Sequence, residues 1–356
     1  MASRPHAPTG ARTAPRVVTL TPSPAIDRVY SGDGIVPGVV NRVSYQNSYL
    51  AGKGLNIAYG LSLVSPHVKA VVPLGAVDGA PPHRGWWPDV ADGVVEVVPV
   101  SRPVRQNAII ATVDGHTTNL NEEPPSLDRA EWARTVDRTL AMIEWIGADR
   151  LVVGGTLPRA TETGGHVDLG PLFESAHALG ARIAIDMSGT ALSRYARHPL
   201  VDVIKPNLSE LQGIAHDTLR TFGDVVEAAR AVIRRHGSPL TVVVSLGEDG
   251  LLGVRADAVS WAPALAVPVV NTTGAGDSAL AGVLSALDHP TDPVHPLDEA
   301  IAIGATWGSL AVAHSTTRPP QLPVRALVAT EPVQSHQALA EPSAIRTVSG
   351  LTGAHA

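Results

Sequence analysis

In the stretch VDVIKPNLSEL, residues 201–211, an apolar β-branched run gives way, just past a Lys-Pro pair, to a helical pattern. Asn207 reads as a helix N-cap and Glu210 as its first-turn acid, worth roughly 1 kcal/mol together. A short buried strand is thus followed directly by a helix. The same succession recurs along the chain. RVVTL (16–20), KAVVPLG (69–75), RLVVGG (150–155), ARIAID (181–186) and LTVVVSLG (240–247) read as strands. Helical patterns lie near 54–64, 127–147, 168–179, 207–216, 223–237, 276–288 and 297–314. Continuous apolar strands separated by helices imply a mostly parallel sheet covered on both faces. The expected fold class is therefore α/β, a three-layer α/β/α sandwich spanning 16–330.

Segments 27–50 and 94–122 have a different texture, as in RVSYQNSY (42–49) and AIIATVDGHTTNL (108–120), where polar residues alternate with apolar ones between Gly-rich turns. These predict a small β element added to the main sheet and placed to act as a lid. Residues 1–15, rich in Ala and Pro with scattered Arg, predict a flexible tail, and 331–356, with weak periodicity, a loosely held one.

The chain has 356 residues, 44% of them hydrophobic, enough for a substantial core. A net charge of −6 provides no overall basic footprint for nucleic acid or an anionic membrane surface, and no apolar run is long enough to span a bilayer. The absence of cysteine removes disulfides, thiolate zinc sites and cysteine nucleophiles and is compatible with a cytoplasmic location. The histidines form no His-Glu-x-x-His pair.

Ligand sites of open α/β sheets lie beyond the carboxyl ends of the strands. There the sequence places GGTLPR (154–159), DMSG (186–189), KPNLSE (205–210) and SLGEDG (245–250), which should share one rim. NTTGAGDSALAGVL (271–284) joins them: two glycines and an acid opening an Ala/Leu-rich helix, whose free N–H groups and dipole suit an anion. Asp277 could act there as a base or simply cap the helix. Neither a Rossmann glycine fingerprint nor a Walker P-loop occurs, although AGKGLN (51–56) opens a helix with Lys53.

TLTPSPAID (19–27), AGKGLNIA (51–58), GGTLPR, IKPNLSEL (204–211), VVVSLGEDG (242–250) and NTTGAGDSALAGVL together resemble, in order, the phosphofructokinase B family of ribokinase-like sugar kinases, and within it the 1-phosphofructokinase and tagatose-6-phosphate kinase branch. The resemblance runs from about 16 to 325. It implies ATP and Mg²⁺ as cofactors and a sugar or sugar phosphate as acceptor, fructose 1-phosphate first, with fructose 1,6-bisphosphate as product. It implies that Gly274, Ala275 and Gly276 form an anion hole and that Asp277 is the base. Lys205, Asn207, Glu210, Ser245, Gly247, Gly250 and Thr273 fall to the nucleotide side, with Asn207 and Glu210 holding magnesium, partly through water. Asp27, Arg42, Gly52, Lys53, Asn56, Arg105 and Asn107 fall to the acceptor side, where Arg105, Arg42 and Lys53 are the cations available to an existing phosphate. A homodimer through the lid is a further implication.

Three motifs depart from the branch. Ser23 stands where it has Asn, Ala51 where it has Gly, and Gly154 with Thr156 where it has a Ser-Gly-Ser-Leu-Pro run. All lie on the acceptor side, so phosphoryl transfer is expected to be retained while the acceptor is open. A same-fold kinase for an unphosphorylated sugar, nucleoside or pathway intermediate is the alternative. A non-catalytic sensor would be marked by loss of the base or the glycines, and neither is lost. An oxidoreductase would need the missing glycine fingerprint.

Overall fold

A computed structural model of the chain describes residues 14–112, 117–287, 297–314, 316, 318 and 321–340. The chain runs β1 (Val17–Leu20), β2 (Ala25–Gly32), β3 (Ser44–Ala51), α1 (Lys53–Ser62), β4 (Val68–Leu74), β5 (Val95–Pro99), β6 (Arg105–Thr112), β7 (Thr117–Asn121), α2 (Arg129–Ile146) and β8 (Arg150–Gly154). It continues through α3 (Gly170–Ala178), β9 (Arg182–Asp186), α4 (Gly189–Tyr195), β10 (Val201–Ile204), α5 (Leu208–Ala215), α6 (Phe222–His236) and β11 (Thr241–Ser245). The last elements are β12 (Leu251–Val254), β13 (Val259–Ala262), α7 (Ala275–Ala286) and α8 (Leu297–Val312).

The main sheet has the order β13-β12-β11-β10-β9-β8-β1-β4-β5, parallel from β11 to β5 and antiparallel at the β12–β13 edge. Period-2 alternation divides its side chains between two cores. Leu151, Val153, Ile183, Ile185, Val242 and Val244 pack with α2 to α6, whereas Val152, Ala184 and Val243 pack with α1, α7 and α8. The three-layer α/β/α architecture expected from the strand grammar is the one observed. No helix among the described residues is long and apolar enough to cross a membrane.

A second sheet, ordered β3-β2-β6-β7, stands apart from the first. Its tie to the body includes Arg28, whose Nη2 donates to both carboxylate oxygens of Asp78 (2.7 and 2.8 Å) and whose Nε donates to Gln106 (2.7 Å). The polar segment 94–122 is divided rather than shared: Val95–Pro99 pairs with β4 as the edge of the main sheet, and only the part from Arg105 onward joins the small one. Val95, Val97 and Val98 side with the core packing of the body, which outweighs the polar flanks.

Most of the flexible tail expected over 1–15 lies outside the described residues, but the carbonyl of Pro15 accepts from Ser65 Oγ at 2.6 Å. Of the loosely held tail expected over 331–356, residues 341–356 likewise lie outside, while 331–340 correct the expectation. The first N–H groups of α6 have no partners within their helix. The tail supplies them: Phe222 N–H donates to the carbonyl of Gln337 (3.1 Å) and Gly223 N–H to that of Ser335 (3.0 Å). Leu339 N–H returns a bond to the carbonyl of Arg220, and Ala340 N–H one to Asp249 Oδ2 at 2.7 Å. Val333 and Leu339 pack against the core. Deleting residues 331–356 is accordingly expected to lower stability by about 2 kcal/mol or more through the lost apolar burial alone. Denaturant unfolding of the truncated chain checks this, and an unchanged midpoint would show that the tail adds nothing.

Candidate active site

Three helices, α1, α5 and α7, begin at the carboxyl ends of main-sheet strands or beside them, and their first turns face one cleft of about 370 Å³. The small sheet forms the opposite wall. Local backbone chemistry explains how α1 enters so closely. A Cβ on Gly54 would lie 2.6 Å from the carbonyl oxygen of Leu20, so only glycine lets this helix start against the end of β1.

At the head of α7, Gly274 is the N-cap with φ of 82°, a left-handed conformation natural to glycine, and it supplies no side-chain cap. The amides of Gly276 and Asp277 in the first turn of α7 thus stay available to an anion. Asp277, buried in the same turn, accepts from Asn56 Nδ2 at 2.8 Å. Burial first, and the nearby Asp186 second, push its carboxyl up to about 7 against the opposing pull of Lys53, Asn56 and Lys205. A carboxylate so placed is a general base near its working range.

Asp186, fully buried at the end of β9, organises the cations. Lys53 Nζ donates to its Oδ1 at 2.6 Å, and Lys205 Nζ lies 3.2 Å from Oδ2, an ion contact without hydrogen-bond alignment. Burial alone would raise the Asp186 carboxyl; Lys205 and Lys53 outweigh it and hold it below the ordinary range. Burial likewise works against the Lys53 ammonium, yet Asp186 and Asp277 outweigh it and keep the group charged. Lys205 stands beside the head of α7, since a Cβ on Gly276 would come 3.0 Å from its Nζ.

Asn207 and Glu210 satisfy each other as a capping box. Asn207 Oδ1 accepts from Glu210 N–H (2.8 Å) and Glu210 Oε2 accepts from Asn207 N–H (2.9 Å). Both still line the cleft, and the cap engages only one carboxylate oxygen of Glu210. Among the described residues no group of three or more acidic, His or Cys side chains could hold a metal ion unaided. The donor set fits a hard cation that brings waters and phosphate oxygens with it.

On the opposite wall, Asp27 accepts from Asn107 Nδ2 at 2.8 Å. Burial pushes its carboxyl up to about 6, against Asn107 and the more distant Arg105 and Arg318. Arg105 donates through Nη1 to the carbonyl of Glu122 and through Nη2 to that of Ser23 (3.1 and 3.0 Å).

Most residues singled out in the sequence meet in this cleft: Asp27, Gly52, Lys53, Asn56, Arg105, Asn107, Lys205, Asn207, Glu210, Ser245, Thr273, Gly274, Gly276 and Asp277 line it. Four do not. Arg42 is exposed on the segment leading into β3, away from the cleft. Gly247 and Gly250 belong to the turn joining β11 to β12, closed by Leu246 N–H donating to the carbonyl of Gly250. The amide of Ala275 turns to the carbonyl of Thr272 at 3.4 Å, so the anion cradle rests on its neighbours. The departures Ser23, Ala51 and Thr156 line the cleft, whereas a Cβ on Gly154 would meet Gly54 N at 2.7 Å, so this departure is one of packing.

Sequence reasoning assigned no role to Asp186, Asn119, Asn121 or Arg318. Asp186 had a signal, an acid ending an apolar strand at the common rim. The asparagines are visible only as an i, i+2 pair once β7 is known to face the cleft. Arg318 is buried behind β3, bonded to the carbonyl of Leu50 and close to the rings of Tyr49 and Tyr59. No local pattern marks it.

The family model for pfkB carbohydrate kinases matches residues 23–325. A 1-phosphofructokinase of Haloferax volcanii is 32% identical over 93% of this chain and 99% of its own length. One from Escherichia coli is 31% identical over 89% and 98%. Among solved structures, the tetrameric inhibited form of phosphofructokinase-2 from Escherichia coli superimposes with a TM-score of 0.70 at 27% identity, over 83% of this chain and 94% of that one. Asp186→Asn is expected to leave two ammonium groups without their counter-charge and to cost about 3 kcal/mol or more in unfolding experiments, because a buried pair has lost one partner. A loss below about 1 kcal/mol would mean that water already compensates the lysines.

Proposed function

The chain belongs to the pfkB family of carbohydrate kinases, and from that premise we propose that it transfers the terminal phosphoryl of ATP to a hydroxyl of a sugar phosphate, fructose 1-phosphate first, giving fructose 1,6-bisphosphate. One observation carries the reading: a buried base, the uncapped head of a helix and two ammonium groups meet in a single cleft opposite a carboxylate suited to sugar hydroxyls. Phosphoryl transfer needs positioning and charge neutralisation more than covalent help.

Asp277, oriented by Asn56, takes the proton of the attacking hydroxyl. That oxygen bonds to the terminal phosphorus as the bond from phosphorus to the ADP oxygen breaks. The amides of Gly274 and Gly276 with Lys53 and Lys205 meet the transferring group, and Asp186 keeps both ammoniums in place. Asp27 and Asn107 hold acceptor hydroxyls; a charged acceptor roughly doubles the strength of such a hydrogen bond. Glu210 and Asn207 would hold a magnesium ion through water, and such an ion neutralises nucleotide phosphates when bound. Thr273 and Ser245 border the nucleotide end. The small sheet excludes water from the reacting group. Its far side, away from Asn119 and Asn121, exposes Tyr45 and Leu120, which supports pairing of two copies through the lids.

One observation favours an unphosphorylated acceptor as the second reading: two of the five N–H groups of Arg105, one on each Nη, already serve carbonyls. ADP release measured with fructose 1-phosphate and with fructose separates the two, and no acceptor-dependent release from either would overturn the first reading. Asp277→Asn is expected to lower kcat by about 10² or more with little change in nucleotide affinity, and a variant of near-parental kcat would remove the residue from the role of base. Because the base must be ionised, log kcat/KM should fall with decreasing pH below about 7, the value to which Asp277 is raised. Asp27, raised to about 6, steepens the fall further down. A profile flat from pH 8 to 5 would contradict both.

A further inference from the structure

The register of the small sheet sets out a row that the catalytic reading does not use. Asp27 pairs with Asn107 across β2 and β6, and Asn107 pairs with Asn121 across β6 and β7. Paired residues share a face, so the row Asp27, Asn107, Asn121 points into the cleft along roughly 10 Å, two strand spacings. Asn119, two residues along β7, stands on the same face opposite Ile109. Arg105, two residues before Asn107, is the diagonal neighbour of Asn121, within reach of one shared ligand group.

The row has an internal polarity. Asn107 gives its Nδ2 to Asp27 and keeps a buried Oδ1 without a partner among the described residues. A carboxylate and an amide oxygen side by side are acceptors, suited to sugar hydroxyls. Beyond them the character reverses. Arg105 holds a buried Nε, also without a partner among the described residues, and Asn121 and Asn119 can present amide N–H groups. Lys53 and Lys205, the other cations of the cleft, are both held by Asp186 on the opposite wall. A phosphate arriving at the lid end therefore meets one guanidinium with two of its five N–H groups already given to carbonyls, and its several acceptor oxygens can take further donors. Uncharged amides supply them without forming an ion pair with Asp27 in the empty protein.

We propose that Asn121, supported by Asn119, is a specificity-determining residue whose amide recognises the phosphate already carried by the acceptor, beside Arg105. The inference rests on the sugar-phosphate kinase reading above and assigns the acceptor's ends: hydroxyls to Asp27 and Asn107, phosphate to Arg105 and Asn121. Asn119 and Asn121 are exposed, so substitution is expected to leave the fold intact.

The test is steady-state kinetics of the full chain with fructose 1-phosphate and ATP. Asn121→Ala should raise KM for fructose 1-phosphate about five- to tenfold, the loss of one hydrogen bond. Asn121→Asp, which sets a carboxylate against the phosphate, should raise it about thirtyfold or more. In both, KM for ATP should stay within about twofold, and any turnover of unphosphorylated fructose should be unaffected by the new charge. Equal changes for ATP and acceptor, or no change with Asn121→Asp, would overturn the assignment. If the parental protein ignores fructose 1-phosphate, the proposed function fails by itself. The amide assignment is then judged on the acceptor found by screening: a selective loss of another phosphorylated sugar sustains it, and an acceptor without phosphate ends it.

Discussion

The buried carboxylate of Asp186 is the constraint on which the cleft depends. It draws one ammonium from the start of α1 and another from the turn after β10, while its own strand lies between them in the sheet order. Burial works against the charge on Lys53 and Asp186 offsets it, while Lys205 and Lys53 together hold the buried Asp186 carboxyl below the ordinary range. The close entry of α1 against β1, and the proximity of Lys205 to the head of α7, are the packing conditions of this one charge cluster.

From that cluster follows a division of labour across the cleft. The body contributes fixed positive potential through helix starts and lysines, which suits a nucleotide's phosphates. The small sheet contributes a carboxylate and amides on alternating positions, which suit a polyol. The body's pieces come from strand–helix junctions whose geometry is set by hydrophobic layers on both sides, so they are rigid. The lid's pieces come from a sheet tied back by Arg28 and Asp78, partly exposed groups whose ion pair contributes little stability.

The body was legible in the sequence because its determinants are local. An apolar run followed by a cap, as at Ile204 to Glu210, names both strand and helix, and the six strands and seven helices expected from such runs are present with ends shifted by a residue or two. The elements misplaced, as Val95–Pro99 was in the lid, or passed over were those whose burial is decided elsewhere. Val95–Pro99 is an edge strand by virtue of β4, and the short α4 follows β9 with no cap hydrogen bond from its Ser188. The hairpin of β12 and β13 is held by α8 and Trp261 rather than by any turn signature. In the site, Gly274 to Asp277 announces itself as a helix start for an anion. Asp186 becomes meaningful only when Lys53 and Lys205, far away in sequence, are brought to it. Arg42 does not line the cleft because it lies on the exposed segment before β3, and sequence does not disclose where that segment runs.

Two acids of opposite walls, Asp27 and Asp277, are both raised by burial to values near neutrality. An acid whose proton is held more tightly in the folded chain than in the unfolded one makes folding less favourable as alkalinity increases through that interval. The cleft is thus a spring kept partly compressed: its most useful groups are those the native state would be better off without. Selection for thermal endurance alone would erode this pocket before it touched the hydrophobic layers, and a hardened descendant would be expected to have lost its chemistry first.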